Sequence, residues 1–437
     1  MKIFGSDGFR SKFGHKYMTF EFLTAFGSGI ASYYLEKNIK DPILIGKDTR
    51  FSCDLIEDIL TSVFIYNGID TISVGVIPTP GLSSLCSIYD TELGIMITAS
   101  HDPYENNGIK LFANDGYKLD ADIEKVMESF IIESINNNNQ KYNGYIGTNK
   151  IALDYSFSYV REIVNLLKDV SIKYKLLIDC CNGAYSDIIK HVFGKTSNVS
   201  FINNAPNGFN INLNCGALEP EMLLKKVKAS NNDYGVAFDG DGDRAIFVSS
   251  NYGIIETEKL IVMFSQAIKD KREKTIVSTE ICNKGLEVNS QSFGYKLIQT
   301  AVGDRNVVDK TLDENAIIGA EPSGHYFFPN VSCSMDGLIA TIYFLKLLDT
   351  IGRKSIEDQL CDLSHYNRVR KDIIINENMD YNFLISSTKN SSLIGADEKL
   401  VIRKSMWDPV IRIYYDYKSV NNFKNVELFI KQTMSQK

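Results

Sequence analysis

The stretch Leu93-Gly-Ile-Met-Ile-Thr-Ala-Ser-His-Asp-Pro103 joins an apolar run to a serine and a histidine. The run Leu93–Ile97 reads as a buried strand. Asp102-Pro103 and Asn106-Asn107-Gly108 follow, and both read as turn formers. A hydroxyl just past a buried strand lies where open α/β sheets bind ligands. Ser100 is therefore a candidate reactive group, provided the rest of the chain supplies a metal or a base, and groups that bind phosphate.

The pattern repeats on either side. Pro42–Gly46 and Thr71–Gly75 read as strands, and between them Leu55, Ile59, Val63 and Phe64 have helical spacing, with Gly68 where the helix would end. Ala121–Ile135 predicts a helix that runs into the polar tract Asn136–Asn139, a linker by composition. A second unit shows a helix near 152–167, a strand at Lys175–Asp179 and a helix around Asp187–Phe193. It closes with Tyr234–Asp239 and Arg244–Val248, two strands flanking an acidic turn. A third begins after Asn251-Tyr-Gly253, with strands at Lys274–Ser278 and Ala316–Ala320 and a helix over Gly337–Leu348. From about Arg368 the alternation weakens, although Lys399–Arg403 and Val410–Tyr415 still read as strands. Strands alternating with helices predict α/β units with mixed, mainly parallel sheets. No short-period repeat is visible.

A chain of 437 residues exceeds one ordinary core, and 44% hydrophobic with 23% charged residues is the composition of a soluble globular protein. No apolar run is long enough for a membrane span, and the start Met1-Lys-Ile-Phe-Gly-Ser-Asp7 has no signal-peptide core. The 8 cysteines form no CxxC pair, and the adjacent Cys180-Cys181 suits neither an ordinary disulfide nor zinc. Reduced thiols and a cytoplasmic location are expected. A net charge of -7 gives no basic patch, so neither nucleic acid nor membrane is an expected partner. Phosphate binding would have to rest on local arginines, lysines and backbone amides.

The acidic turn is Asp239-Gly-Asp241-Gly-Asp243-Arg244. Three carboxylates at alternate positions can converge on one hard cation if the glycines let the backbone curl. An EF-hand is excluded, because Arg244 stands where its loop needs glycine and Ser250 where it needs glutamate. Oxygen-only ligands point to magnesium, with manganese or calcium as alternatives. Arg244 adds a bidentate phosphate donor. The turn Glu321-Pro-Ser323-Gly-His325 follows the third unit's strand, and its three polar side chains could bind vicinal hydroxyls of a sugar. A lipase-like triad is excluded, since neither Ser100 nor Ser323 lies in G-x-S-x-G.

Taken together, TASHDP, DGDGDR and GEPSGH occur in the order found in α-D-phosphohexomutases, which the chain resembles over nearly its whole length. Gly46-Lys-Asp-Thr-Arg50, Pro78-Thr-Pro80 and Val302-Gly-Asp-Arg305 add framework matches. The opening Phe4-Gly-Ser-Asp-Gly-Phe-Arg10 resembles the start of the phosphoglucosamine mutase branch.

The resemblance implies four domains around a central cleft: three related α/β units (1–148, 149–250, 251–366) and a smaller α+β C-terminal domain (367–437). It implies an isomerase that moves a phosphoryl group between the 1- and 6-hydroxyls of a hexose, through a phosphoserine at Ser100 and a hexose 1,6-bisphosphate that also serves as activator. Glucosamine phosphate is the expected substrate, with mannose or glucose phosphates as the alternative and a non-catalytic phosphosugar-binding relative as a remote one. One Mg2+ would sit on Ser100, Asp239, Asp241 and Asp243. Arg10 and Arg244 would steady phosphoryl oxygens, and Lys110 and His325 would move protons, Lys110 with a lowered pKa. His101 would order the serine loop. Glu321 and Ser323 would read the sugar. The hexose phosphate is the expected partner, and the chain is expected to be a monomer or homodimer. In the C-terminal phosphate loop Arg403, Ser405 and Arg412 match, but Met406 and Trp407 replace the family's glycine and threonine. Ser11 likewise replaces the usual glycine after Arg10.

Overall fold

The computed structural model describes residues 2–5, 7–137, 144–268, 274–374, 394–395, 397–404, 410–419 and 422–435. Ser405, Met406 and Trp407 lie outside them, as do Ser6 and the end of the expected linker, Asn138-Asn139.

The first unit contains β1 (Phe9–Lys12), α1 (Phe20–Lys37), β2 (Ile43–Lys47), α2 (Cys53–Tyr66), β3 (Thr71–Val76), α3 (Thr79–Tyr89), β4 (Leu93–Ile97), β5 (Asn106–Ala113), α4 (Ala121–Asn137) and β6 (Asn149–Ile151). Its sheet runs β1-β5-β4-β2-β3-β6. The second unit adds α5 (Ser156–Leu167), β7 (Leu176–Asp179), α6 (Tyr185–Phe193), β8 (Val199–Ile202), α7 (Pro220–Ala229), β9 (Tyr234–Phe238), β10 (Ala245–Ser249) and β11 (Gly253–Ile254), in a sheet ordered β11-β10-β9-β7-β8. In the third, α8 (Thr257–Ala267), β12 (Thr275–Thr279), α9 (Lys284–Ser292), β13 (Lys296–Thr300), α10 (Asp304–Asp313), β14 (Ile318–Glu321), β15 (His325–Phe327), α11 (Gly337–Ile351) and α12 (Arg353–Asp362) build a sheet ordered β13-β12-β14-β15. The last unit is an antiparallel sheet of β16 (Asn367–Ile374), β18 (Val410–Tyr417) and β17 (Glu398–Lys404), packed on α13 (Phe423–Ser435).

The first three sheets share one plan that the sequence hides. Each contains the order β5-β4-β2-β3, β10-β9-β7-β8 or β15-β14-β12-β13. In each, a buried strand (β4, β9, β14) pairs in parallel with one neighbour and antiparallel with the strand that follows it. The loop that reverses the chain at that point carries Ser100, the three aspartates, or Pro322–Gly324. A crossover helix covers each parallel step, as parallel pairing requires. One apolar core is continuous from Leu82, Leu85 and Met96 through Ile178 and Phe247 to Ile318 and Leu345, which joins the three units.

Several expectations change. Asn106-Asn107-Gly108 is not a turn; it opens β5, which pairs with both β1 and β4. Gly108 permits this, because a Cβ there would stand 2.5 Å from the Phe9 carbonyl oxygen and 2.7 Å from that of Thr98. The Asn107 amide is satisfied in the strand by Ser52 Oγ and the Gly108 N–H. On α2 the expected Ile59, Val63 and Phe64 are buried, together with Ile56 and Leu60, while Leu55 is half exposed. The helix expected from 152 begins at Ser156, because Asn149–Ile151 extends along β3 instead. That strand and β11 carry the first two sheets a few residues past 148 and 250. Among the described residues, no helix is long and apolar enough to cross a membrane.

Candidate active site

Ser100 follows β4 in a left-handed conformation, φ +52°, which costs a non-glycine residue about 1–2 kcal/mol. The loop is gripped from two sides. Arg50 Nη2 donates to the carbonyls of Ser100 (2.8 Å) and Asp102 (2.9 Å). Asn212 Nδ2, from the second unit, donates to the same two oxygens at 2.9 Å each. Arg50 is itself held by Asp48 (2.9 Å), which also accepts from Thr98 Oγ1 (2.7 Å), and Thr98 Oγ1 accepts the Ser100 N–H (2.9 Å). These bonds over-determine the strained residue.

The Ser100 hydroxyl donates to Asp239 Oδ2 at 2.7 Å, and His101 Nδ1 lies 3.2 Å from Ser100 Oγ. Burial, Arg244 and Arg10 push the His101 pKa down to about 2, so its ring is neutral. That fits a residue that orders the loop.

Asp239, Asp241 and Asp243 lie between β9 and β10, all buried, with one carboxylate oxygen from each within 4.8 Å of the others. Burial, then Asp243 and Asp241, raise the Asp239 carboxyl to about 8. Burial works against the charge of Asp243 too, but Lys110 and His325 hold its carboxyl well below the usual range. Asp241 Oδ1 is buried and has no hydrogen-bond partner among the described residues. An orphaned carboxylate oxygen inside a crowded acidic cluster fits a hard divalent cation.

Lys110 stands on β5 with Nζ 2.8 Å from Asp241, 2.9 Å from Asp243 and 3.1 Å from Asp7. Burial disfavours its charge, yet Asp241, Asp243 and Asp7 hold its pKa well above the ordinary lysine value. The expected lowering is thus reversed, because the surrounding carboxylates outweigh burial. His325 is similar. Burial opposes its charge, but Asp243 (3.1 Å from Nε2) raises it to about 10, with Glu321 3.0 Å from Nδ1. Ser323 Oγ is 2.9 Å from the same Nδ1 and is exposed. Arg244 donates its backbone N–H to Asp239 Oδ1 (3.2 Å), and its Nε is 3.6 Å from Asp239 Oδ2. Arg10, half-buried on β1, reaches Asp102 at 3.5 Å.

Ser100, His101, Lys110, Asp239, Asp241, Asp243, Arg244, Glu321, Ser323, His325 and Arg10 therefore converge from three units. Arg403 and Arg412 sit on the fourth unit's separate sheet, facing each other across β17 and β18, with Arg412 Nε 3.6 Å from Asp372. Several participants carry no role from sequence. Asp7 and Asp304 both accept from Lys118, and Asn212, Arg50 and Thr79 hold the loops. Most of these fall in the framework motifs, whose spacing was visible but whose contacts run between units. Asn212 had no sequence signal.

The chain is similar to known proteins in sequence and in fold. Residues 1–142, 155–253 and 256–366 match, in turn, the descriptions of phosphoglucomutase/phosphomannomutase alpha/beta/alpha domains I, II and III. A phosphoglucosamine mutase of Caldicellulosiruptor saccharolyticus is 33% identical, covering 97% of this chain and 96% of that protein. One from Bacillus subtilis is 31% identical over 96% of this chain and 95% of its own. Among solved structures, a phosphoglucomutase/phosphomannomutase family protein from Burkholderia thailandensis superposes with a TM-score of 0.83 at 20% identity, covering 99% of this chain and 97% of that one. An N-acetylphosphoglucosamine mutase from Aspergillus fumigatus, solved with GlcNAc-6P and magnesium, gives 0.66 at 14% identity over 99% and 95%.

Proposed function

The chain belongs to the phosphoglucomutase/phosphomannomutase family and is a phosphohexomutase, and we propose that it interconverts glucosamine 6-phosphate and glucosamine 1-phosphate. The substrate assignment draws on the names of its curated relatives, each covered over more than nine-tenths of its length. The observation that carries the chemistry is the Ser100 hydroxyl, 2.7 Å from Asp239 at the rim of a buried three-carboxylate cluster.

Ser100 would carry a phosphoryl group on Oγ. That group passes to the free hydroxyl of the bound sugar monophosphate: the P–Oγ bond breaks, a new P–O bond forms, and the hydroxyl proton leaves to a nearby base. The resulting bisphosphate turns over in the cleft, and its other phosphate returns to Ser100. Phosphoryl transfer depends mainly on positioning and charge neutralisation. A Mg2+ held by Asp239, Asp241, Asp243 and the Ser100 site would supply Lewis-acid neutralisation of phosphoryl charge. Arg244 and Arg10 are placed to grip the remaining phosphoryl oxygens. Lys110 and His325 would share the acid–base work. The carboxylates around them hold both protonated at rest, so one must first lose its proton to solvent; it then takes the proton of the attacking hydroxyl, and the other gives one proton to the departing Ser100 oxygen. The two roles exchange in the reverse step, as microscopic reversibility requires. Glu321 and the exposed Ser323 hydroxyl offer directional partners to ring hydroxyls. Arg403, Arg412 and Ser405 are assigned to the non-reacting phosphate, and His101 to ordering the loop. One duty per unit fits four domains close to 1–148, 149–250, 251–366 and 367–437, with β6 and β11 kept with the sheets they extend. Eight free thiols suit a reducing cytoplasm.

A coupled assay with the 6-phosphates of glucosamine, mannose and glucose tests the reading. Glucosamine 6-phosphate is expected to give the highest kcat/KM; a higher value for either other sugar overturns the substrate assignment.

A further inference from the structure

The second of the three aspartates is held by a residue from a different unit. Thr79 is buried in the first turn of α3, just after Pro78. Its Oγ1 donates to Asp241 Oδ2 at 2.5 Å, and its backbone N–H donates to the Asp241 carbonyl at 2.8 Å. A carboxylate can only accept, so the hydroxyl is the donor. Lys110 Nζ donates to the same Oδ2 at 2.8 Å. One oxygen of Asp241 thus takes two donors, while the other, Oδ1, is buried and takes none among the described residues.

We propose that Thr79 is a positioning residue for the metal ligand Asp241: by fixing Oδ2 it turns Oδ1 into the cluster and locks the metal-binding loop to the unit that carries Ser100. This rests on reading the aspartates as a metal site. Lys110 cannot do this alone, because its ammonium is shared with Asp243 and Asp7 at the end of a flexible chain. The hydroxyl is short and β-branched, and its main chain is pinned to the loop it orients, so few rotamers are open to it. Partners of ligating carboxylates that touch no metal themselves still tune affinity, by factors of about 10–100. Thr79 also stands at the amino end of a helix, whose partial positive charge favours a nearby carboxylate.

The test is Mn2+ binding to the full-length protein, followed by the EPR signal of free Mn2+ without substrate. Thr79→Val keeps the shape and the backbone bond but loses the donor, and is expected to bind Mn2+ about tenfold more weakly or worse. Thr79→Ser is expected to restore affinity to within about threefold of the parent, and Thr79→Cys, a weak donor, to fall between. Parent-like affinity in Thr79→Val overturns the proposal, as does failure of Thr79→Ser to rescue. Should Thr79→Val not fold, parent-like affinity in Thr79→Cys overturns it equally. An Asp241→Asn variant distinguishes the two levels. If it binds Mn2+ as the parent does, the metal-site reading itself fails and this proposal with it. If it loses binding while Thr79→Val does not, only the role of Thr79 is lost.

Discussion

The hydroxyl of Ser100 donates to Asp239 Oδ2 at 2.7 Å across 139 positions of chain. The proposed phosphate carrier and cation site are thus set against each other by the docking of two units, not by a local turn. Ser100→Ala is expected to lower mutase activity on the order of 10³-fold or more while leaving the fold intact. Intact-mass measurement after incubation with a hexose 1,6-bisphosphate should show one phosphoryl group gained by the parent and none by the variant. Undiminished turnover in Ser100→Ala would remove the phosphoserine from the mechanism.

Gly240 lies under the same loop. A Cβ there would stand 2.6 Å from the Ser100 carbonyl oxygen and 2.9 Å from the Asn212 amide that holds it. Gly240→Ala should therefore push the serine loop off its seat. A displacement of the order of 1 Å at a reacting centre can cost about 100-fold in rate. The expected signature is a large fall in kcat with the melting temperature little changed.

Lys118 joins the first and third units, its ammonium donating to both Asp7 and Asp304. Burial opposes its charge, but Asp304 and Asp7 raise its pKa. Lys118→Met would leave the buried Asp304 carboxylate without its cation and Asp7 with Lys110 alone. A loss of about 3–5 kcal/mol is expected by urea denaturation. A Lys118→Arg variant should recover part of it.

Asp336 caps α11, accepting the N–H groups of Leu338 and Ile339 and the hydroxyls of Tyr159 and Tyr185. Burial outweighs these bonds and raises its carboxyl from 3.8 to about 6. A carboxyl raised on folding binds its proton more tightly in the folded chain. The stability it contributes is therefore complete below the unfolded value and is lost as pH rises through about 6. That loss is on the order of 3 kcal/mol. The parent should lose it between pH 4 and 7 relative to Asp336→Asn, whose urea midpoint has no such component, read as the difference between the two pH profiles (about 3 kcal/mol).

The strands that carry the site were legible because each is a short, wholly apolar run. Leu93–Ile97 and Tyr234–Phe238 are buried at every residue. Ser100, the aspartate triad and the Glu321–His325 turn were legible because chemistry crowds unusual residues into a few positions. The charge state of Lys110 was not, since it depends on Asp7, Asp241 and Asp243, all of them more than a hundred positions away. Nor was the strand through Asn106–Gly108, because turn-forming residues entered a sheet whose neighbours satisfied their amides. Leu55 shows the limit of periodicity: the spacing was helical, but which face is buried was decided by what packs above it. The shared four-strand plan left no trace as a repeat, because topology persists where side chains have diverged.

That shared plan puts one proposed tool on each of three sheets, at the same bend of the same scaffold: Ser100 as phosphate carrier, the three aspartates as cation cradle and the Glu321–His325 turn as sugar reader. None is useful by itself. Turnover is thus a report that three separately built pieces have been delivered and seated correctly, and a chain with any one of them misplaced is silent instead of half active.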